Sequence, residues 1–143
     1  MKIILGTANV AKKYGLNSNN LKIKEFDKIK KYLKKNNFFL EVAEDYKNIK
    51  YTINNKLKLF YKINFFKNKN NFTKLQKLSK KKKIFCLMVH SVQSVKLKEF
   101  HELYEYMSFL KSQKLIKSIG ISIYDLKDLN IIKKYNFDYI QVP

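Results

Sequence analysis

The segment FFLEVAEDYKN, residues 38–48, joins an apolar run to three acidic residues and a tyrosine. Its first part, FFLEVA, is apolar on both faces of an extended chain apart from Glu41, as is typical of strands buried in a parallel sheet. The preceding segment IKEFDKIKKYLKKNN, residues 23–37, has apolar residues at spacings of three and four, which predicts an amphipathic helix. A helix followed by a buried strand favours an α/β fold.

The same alternation continues in both directions along the chain. Strands are predicted at residues 3–9, 38–43, 56–66, 84–91, 116–123 and 137–143, and helices at 23–37, 71–82, 97–114 and 125–136. Asp125 is the predicted N-cap of the last helix, and residues 47–56 are only weakly helical. Because the chain has three Gly and one Pro, no linker divides it. We therefore expect one α/β domain over residues 1–143, built on a parallel sheet covered by helices.

The charge of the chain allows two interpretations. Its formal net charge is +20, which favours binding to nucleic acid through the phosphates. All 31 basic residues are lysine, however, and the chain lacks the arginine that binds phosphate and guanine in a bidentate manner. We favour a solvated lysine-rich surface and keep a basic nucleic-acid-binding module as the alternative.

Targeting and metal-binding signals are weak. No apolar run reaches the roughly 18 residues of a membrane span, and MKIILGTANV does not resemble a signal peptide. The single Cys86 cannot form an internal disulfide, and two His with one Cys do not have the spacing of a metal site. We therefore expect a cytoplasmic protein with no membrane segment and no metal.

Polar residues stand at the carboxyl ends of the predicted strands, where parallel α/β folds place their chemistry. In chain order these residues are Gly6, Thr7, Glu41, Tyr46, Lys62, His90, Ser122 and Gln141. A tyrosine, a lysine, a histidine and a carboxylate at successive strand ends predict a site for proton transfer.

Each of these residues also has a simpler interpretation. Lysine is so common here that Lys62 alone indicates little, and a single strand histidine such as His90 is often a core residue with satisfied hydrogen bonds. Tyr46 fits a core or rim aromatic, and Glu41 fits a solvent-facing position. Only the complete set, in this order, favours an enzyme.

Together these segments resemble the amino-terminal part of the aldo-keto reductases. The matching segments are LGTA at 5–8, LEVAEDYK at 40–47, YK at 61–62, VHS at 89–91, GIS at 120–122 and QVP at 141–143. The resemblance implies a (β/α)8 barrel, here truncated to six strands with five intervening connections. We therefore expect a truncated reading frame, a fragment of a longer sequence, or one half of a split protein whose second chain completes the barrel. In each case the 143-residue chain by itself is expected to be incomplete or inactive as a reductase.

The resemblance further implies hydride transfer between NADPH, or NADH, and a small-molecule carbonyl. Tyr46 would be the general acid, Lys62 the cation that favours its phenolate, and Glu41 the carboxylate that holds the lysine. His90 would orient the carbonyl oxygen or share in a proton relay.

The implied cofactor contacts come from the same comparison. Ser122 and Gln141 would bind the nicotinamide amide, and Gly6 and Thr7 would shape the floor of the cofactor site.

Four positions depart from the family pattern. Glu41 replaces aspartate, Val42 replaces threonine, Lys47 replaces glycine, and Ile123 replaces an asparagine that is frequent in the family. A non-catalytic remnant of such an enzyme is therefore a further alternative.

Overall fold

A computed structural model describes residues 3–10, 22–46, 57–68 and 71–142 of the chain. Its strands are β1 Ile4–Gly6, β2 Phe39–Ala43, β3 Lys58–Ile63, β4 Ile84–Val89, β5 Ser118–Ser122 and β6 Tyr139–Gln141. Its α-helices are α1 Ile23–Lys35, α2 Phe65–Asn68, α3 Phe72–Lys81, α4 Phe100–Ser112 and α5 Leu129–Ile132. Two 3-10 helices lie at Val92–Lys96 and Leu126–Asp128.

The six strands form one parallel sheet in the order β1-β2-β3-β4-β5-β6. The predicted α/β class and the number of strands are confirmed. The sheet is curled. The rings of Phe60 on β3 and Tyr139 on β6 lie only 5.1 Å apart, although β4 and β5 separate their strands in the sheet. The described residues thus form a half-barrel with all strand carboxyl ends on one rim.

The main core lies between the convex face of the sheet and the helices. On the sheet side it contains Leu40, Leu87 and Ile121, and on the helix side it contains Phe26 and Leu103; all five are fully buried. Full burial of side chains of this size contributes about 1.5–3 kcal/mol each, so this layer holds the helices on the sheet.

The concave face carries a second, aromatic cluster. It contains Phe39, Phe60, Phe85, Cys86, Met88 and Tyr139. A β-bulge lies here, because Leu59 pairs with Ile84 while the next residue, Phe60, pairs with Cys86. The extra residue, Phe85, therefore joins the cluster and packs 5.6 Å from the Phe60 ring. Burial raises the pKa of the Cys86 thiol, which stays protonated at neutral pH.

The third predicted strand and the last predicted helix are among the elements whose extent differs from that observed. The strand predicted over 56–66 ends at Ile63, because the Asn64 carboxamide oxygen accepts a hydrogen bond from the Lys67 amide, 3.3 Å away, and starts α2. The last predicted helix is only a 3-10 turn followed by one α-helical turn. Its predicted cap is confirmed, since the Asp125 carboxylate accepts from the Lys127 amide at 2.8 Å. The weakly helical segment 47–56 lies outside the described residues.

Gly120 marks the tightest packing on the concave face. A Cβ there would lie 2.8 Å from the Tyr139 carbonyl oxygen and 3.2 Å from both Cys86 Sγ and Met88 Cγ. We expect Gly120→Ala to lower the free energy of unfolding by about 1–3 kcal/mol through overpacking.

The matched control is Gly6→Ala, whose added Cβ would meet, among the described residues, only the Glu41 carboxylate, at 3.3 Å. We expect that change to alter the free energy of unfolding by no more than about 1 kcal/mol. Urea unfolding of both variants measures the difference, and equal midpoints would contradict the proposed close approach of β5 and β6.

Candidate active site at the carboxyl ends of the strands

A cleft of about 330 Å³ opens at the carboxyl rim of the sheet. Six of the eight sequence-predicted site residues line it, namely Gly6, Glu41, Tyr46, Lys62, Ser122 and Gln141. His90 instead lines an adjoining cavity of about 200 Å³, and Tyr124 belongs to the walls of both. Thr7 lines neither cavity, because it is fully buried and its carbonyl accepts from the Val10 amide at 3.1 Å.

Glu41 and Lys62 form a buried ion pair on the concave face of β2 and β3. Lys62 Nζ lies 3.3 Å from Glu41 Oε1, and the two side chains are 6% and 8% exposed. The buried Oε1 atom has no hydrogen-bond partner within the described residues, so charge attraction is its main stabilising contact there. The other carboxylate oxygen, Oε2, would be 3.3 Å from a Cβ at position 6, so Gly6 leaves room for it.

Tyr46 stands beside this pair. Its amide donates to the Ala43 carbonyl oxygen at 3.0 Å, which closes a turn directly after β2. The Lys62 ammonium lies 6.0 Å from the centroid of the Tyr46 ring. One buried lysine thus lies near both a carboxylate and a tyrosine ring.

The two acidic residues before Tyr46 attach its loop to neighbouring elements. The Glu44 carboxylate accepts hydrogen bonds from Lys74 Nζ at 2.6 Å and from the backbone amide of Asn64 at 3.2 Å. Asp45 accepts from Asn64 Nδ2 at 2.7 Å and from Lys67 Nζ at 2.6 Å. Sequence reasoning assigned no role to these acids, although two acids directly before the predicted catalytic tyrosine were a visible signal.

Asp45 is ionised at neutral pH. Partial burial raises its pKa, but the hydrogen bonds from Lys67 and Asn64 and the charges of Lys67 and His90 outweigh that effect, and the net pKa lies below the usual value. The loop therefore places a fixed negative charge next to the cavity that His90 lines.

His90 contacts both Tyr46 and Asp45. Its ring meets the Tyr46 ring edge to face, with centroids 5.9 Å apart, and its Nδ1 atom lies 3.6 Å from Asp45 Oδ2. Burial and then the charge of Lys62 lower the pKa of His90, whereas Asp45 and Glu41 raise it; the net pKa is below the usual value. His90 is therefore neutral at pH 7.

Ser122 and Gln141 pair across β5 and β6. They are register partners, and the Ser122 hydroxyl donates to Gln141 Oε1 at 3.2 Å. The Ile123 amide donates a hydrogen bond to the Gln141 carbonyl oxygen at 2.9 Å, and Ile123 is also one of the residues that line the cleft. This part of the cleft thus offers a hydroxyl and a carboxamide to a polar ligand.

Metal and membrane sites receive no support from the part of the chain that the structure describes. No group of three or more His, Cys, Asp or Glu side chains within these residues converges on a point that could hold a metal ion. No helix within the described ranges is long and apolar enough to span a bilayer.

Comparison with models of known protein families gave no match, and comparison with curated protein sequences gave no significant match either. The case for any function therefore depends on the geometry of the cleft.

Proposed function

We propose that this protein reduces a small-molecule carbonyl, or oxidises the corresponding alcohol, with a nicotinamide cofactor, and that it belongs with the (β/α)8 aldo-keto reductases. The observation that carries this proposal is the buried Lys62, 3.3 Å from the Glu41 carboxylate and 6.0 Å from the Tyr46 ring, in the wall of one cleft. The order of these residues on successive parallel strands supports it.

In reduction, Tyr46 donates its phenolic proton to the carbonyl oxygen as negative charge develops there. A free tyrosine has a pKa near ~10, so a neighbouring cation is needed to favour the phenolate that remains. The Lys62 ammonium supplies that charge, and the Glu41 carboxylate, whose side chain is almost as fully buried, compensates it. A positioned general acid of this kind contributes about 10²- to 10⁴-fold to the rate.

The residues of the cleft fit a nicotinamide group. The cleft volume of about 330 Å³ lies in the range of small-molecule sites. Ser122 and Gln141 would hold the carboxamide, and the absence of a side chain at Gly6 leaves the floor open. When bound, the cofactor supplies the hydride that the carbonyl carbon receives. Ile123 lines the cleft at a position where the family often has asparagine. Ser122 and Gln141 therefore carry the polar recognition of the carboxamide.

Cofactor binding tests this proposal directly. We expect the fluorescence of NADPH, or of NADH, to change saturably with protein concentration. Gln141→Leu removes a polar contact worth about 1–1.5 kcal/mol and should raise the Kd roughly tenfold. The matched control is Gln93→Leu, at an exposed position of the first 3-10 helix, which should bind as the unmodified protein does.

Absence of a saturable fluorescence change with either cofactor would contradict the proposal. If the same protein then shifted RNA or DNA in a salt-sensitive manner, the basic binding module would be favoured instead.

A further inference from the structure

We propose that Asp45 is a positioning residue that holds the His90 imidazole in the tautomer with its proton on Nδ1, so that Nε2 serves as a hydrogen-bond acceptor. The geometry that carries this inference is the approach of Asp45 Oδ2 to within 3.6 Å of His90 Nδ1. A neutral imidazole has one N–H group, and the partner of one nitrogen decides which nitrogen carries it.

The position of Asp45 is determined from its other side. Asn64 Nδ2 donates to Oδ2 at 2.7 Å and Lys67 Nζ donates to Oδ1 at 2.6 Å. The orientation of the Asn64 carboxamide is itself defined, because its oxygen accepts from the Lys67 amide. The carboxylate is thus anchored by two donors while it faces the imidazole.

The distance of 3.6 Å is longer than a direct hydrogen bond, so the preference for Nδ1–H comes from charge attraction. Hydrogen bonds of catalytic groups are often long before a ligand binds.

Other charged and titratable groups face the same ring. Lys62 approaches from β3 and Glu41 from β2, while Tyr46 and Asp45 come from the loop after β2. Lys62 disfavours a second proton on His90, and among the described residues only Asp45 lies at ion-pair distance from a ring nitrogen. Between the two neutral tautomers, Asp45 therefore selects the one protonated at Nδ1.

This selection has a consequence for the chemistry, which rests on the proposed function. A neutral ring protonated at Nδ1 cannot donate a hydrogen bond from Nε2 to a carbonyl oxygen. Of the two rings in contact, Tyr46 is then the donor to that oxygen, and His90 accepts a hydrogen bond from a hydroxyl group. The first of the two roles implied for His90, orientation of the carbonyl oxygen by donation, is disfavoured.

Nitrogen NMR of the histidine rings in the full chain tests the tautomer without any cofactor or substrate. The sequence contains only His90 and the exposed His101 on α4, so His101 is an internal control. For the unmodified protein near pH 8, we expect His90 to show a protonated Nδ1 and an unprotonated Nε2, with the Nδ1–H form in roughly tenfold excess. A dominant Nε2–H form would overturn the inference.

Three variants separate positioning from a purely structural effect. Asp45→Asn should convert His90 largely to the Nε2–H form and lower its pKa further, whereas Asp45→Glu should retain the Nδ1–H signature. Asp27→Asn is the matched control, since its exposed carboxylate pairs only with Lys30 on α1, at 2.6 Å, among the contacts described. An unchanged His90 tautomer in folded Asp45→Asn would also overturn the inference.

The two proposals fail separately. If the protein does not bind NADPH but His90 has the expected tautomer, only the proposed function is contradicted. If the protein binds NADPH but His90 has the Nε2–H tautomer, only the inference about Asp45 is contradicted.

Discussion

Replacing Tyr46 with phenylalanine is expected to slow carbonyl reduction by about 10²- to 10⁴-fold while the Kd for NADPH stays the same. The hydroxyl is the only group lost, so the proposed proton donor disappears while the ring contact with His90 is kept. The rate is measured as the loss of NADPH fluorescence with a small aldehyde such as nitrobenzaldehyde. The effect should fall on kcat more than on KM, because the proton is transferred only in the transition state.

The matched control for this change is Tyr124→Phe. Tyr124 is in the wall of the same cleft but is 66% exposed, so the same atom is removed from a position without a proposed catalytic role. We expect its rate to stay within about twofold of that of the unmodified protein. Equal rates for Tyr46→Phe and the unmodified protein would show that Tyr46 is not the acid.

Replacing Lys62 with methionine is expected to cost about 3–5 kcal/mol of unfolding free energy, because it leaves the Glu41 carboxylate buried without a counter-charge. The two side chains are among the least exposed charged groups described, and Glu41 Oε1 has no hydrogen-bond partner in the described part of the chain that could replace the ion pair. Urea unfolding at pH 7 measures the loss. The matched control is Lys74→Met, which removes a 2.6 Å contact to Glu44 from a side chain that is 48% exposed. It should cost no more than about 1 kcal/mol.

The double variant Glu41→Leu with Lys62→Met tests the physical reason for this loss. Replacement of a buried ion pair by apolar groups of similar size is often close to neutral, so we expect the second change to restore most of the stability. The double variant should nevertheless lack reductase activity. A double variant less stable than Lys62→Met would mean that the lysine stabilises the fold by packing and not by pairing with Glu41.

The experiments on Tyr46 and on the Glu41–Lys62 pair separate stability from function at the same site. Tyr46 is half-buried on a loop and contributes little to the main core, whereas Lys62 lies within β3. A fold that tolerates the Glu41 and Lys62 double change but loses activity would show that the pair is kept for chemistry.

The fold was largely predictable from the sequence because it depends on periodicity. Apolar runs buried on both faces, such as 84–89, alternate with helices such as 100–112 that are apolar along one side, and this pattern permits few arrangements other than a parallel sheet covered by helices. The end of β3 at Ile63 was not predictable, since Phe65 continues the apolar pattern. The Asn64 side chain, which caps α2, decides that end.

The sequence by itself determined which residues meet at the carboxyl rim, because parallel strands bring their ends to one edge and the predicted site residues lie in or after the last part of each strand. Only the tertiary structure decided how these residues are divided between cavities. It enclosed Thr7 and placed His90 in the cavity next to the main cleft. It also selected Lys62, Lys67 and Lys74 from 31 lysines as the partners of particular carboxylates. The physical reason is that ion pairs join side chains distant along the chain and have no sequence period, so Asp45 acquires its contact with His90 only when β2 and β4 are in place.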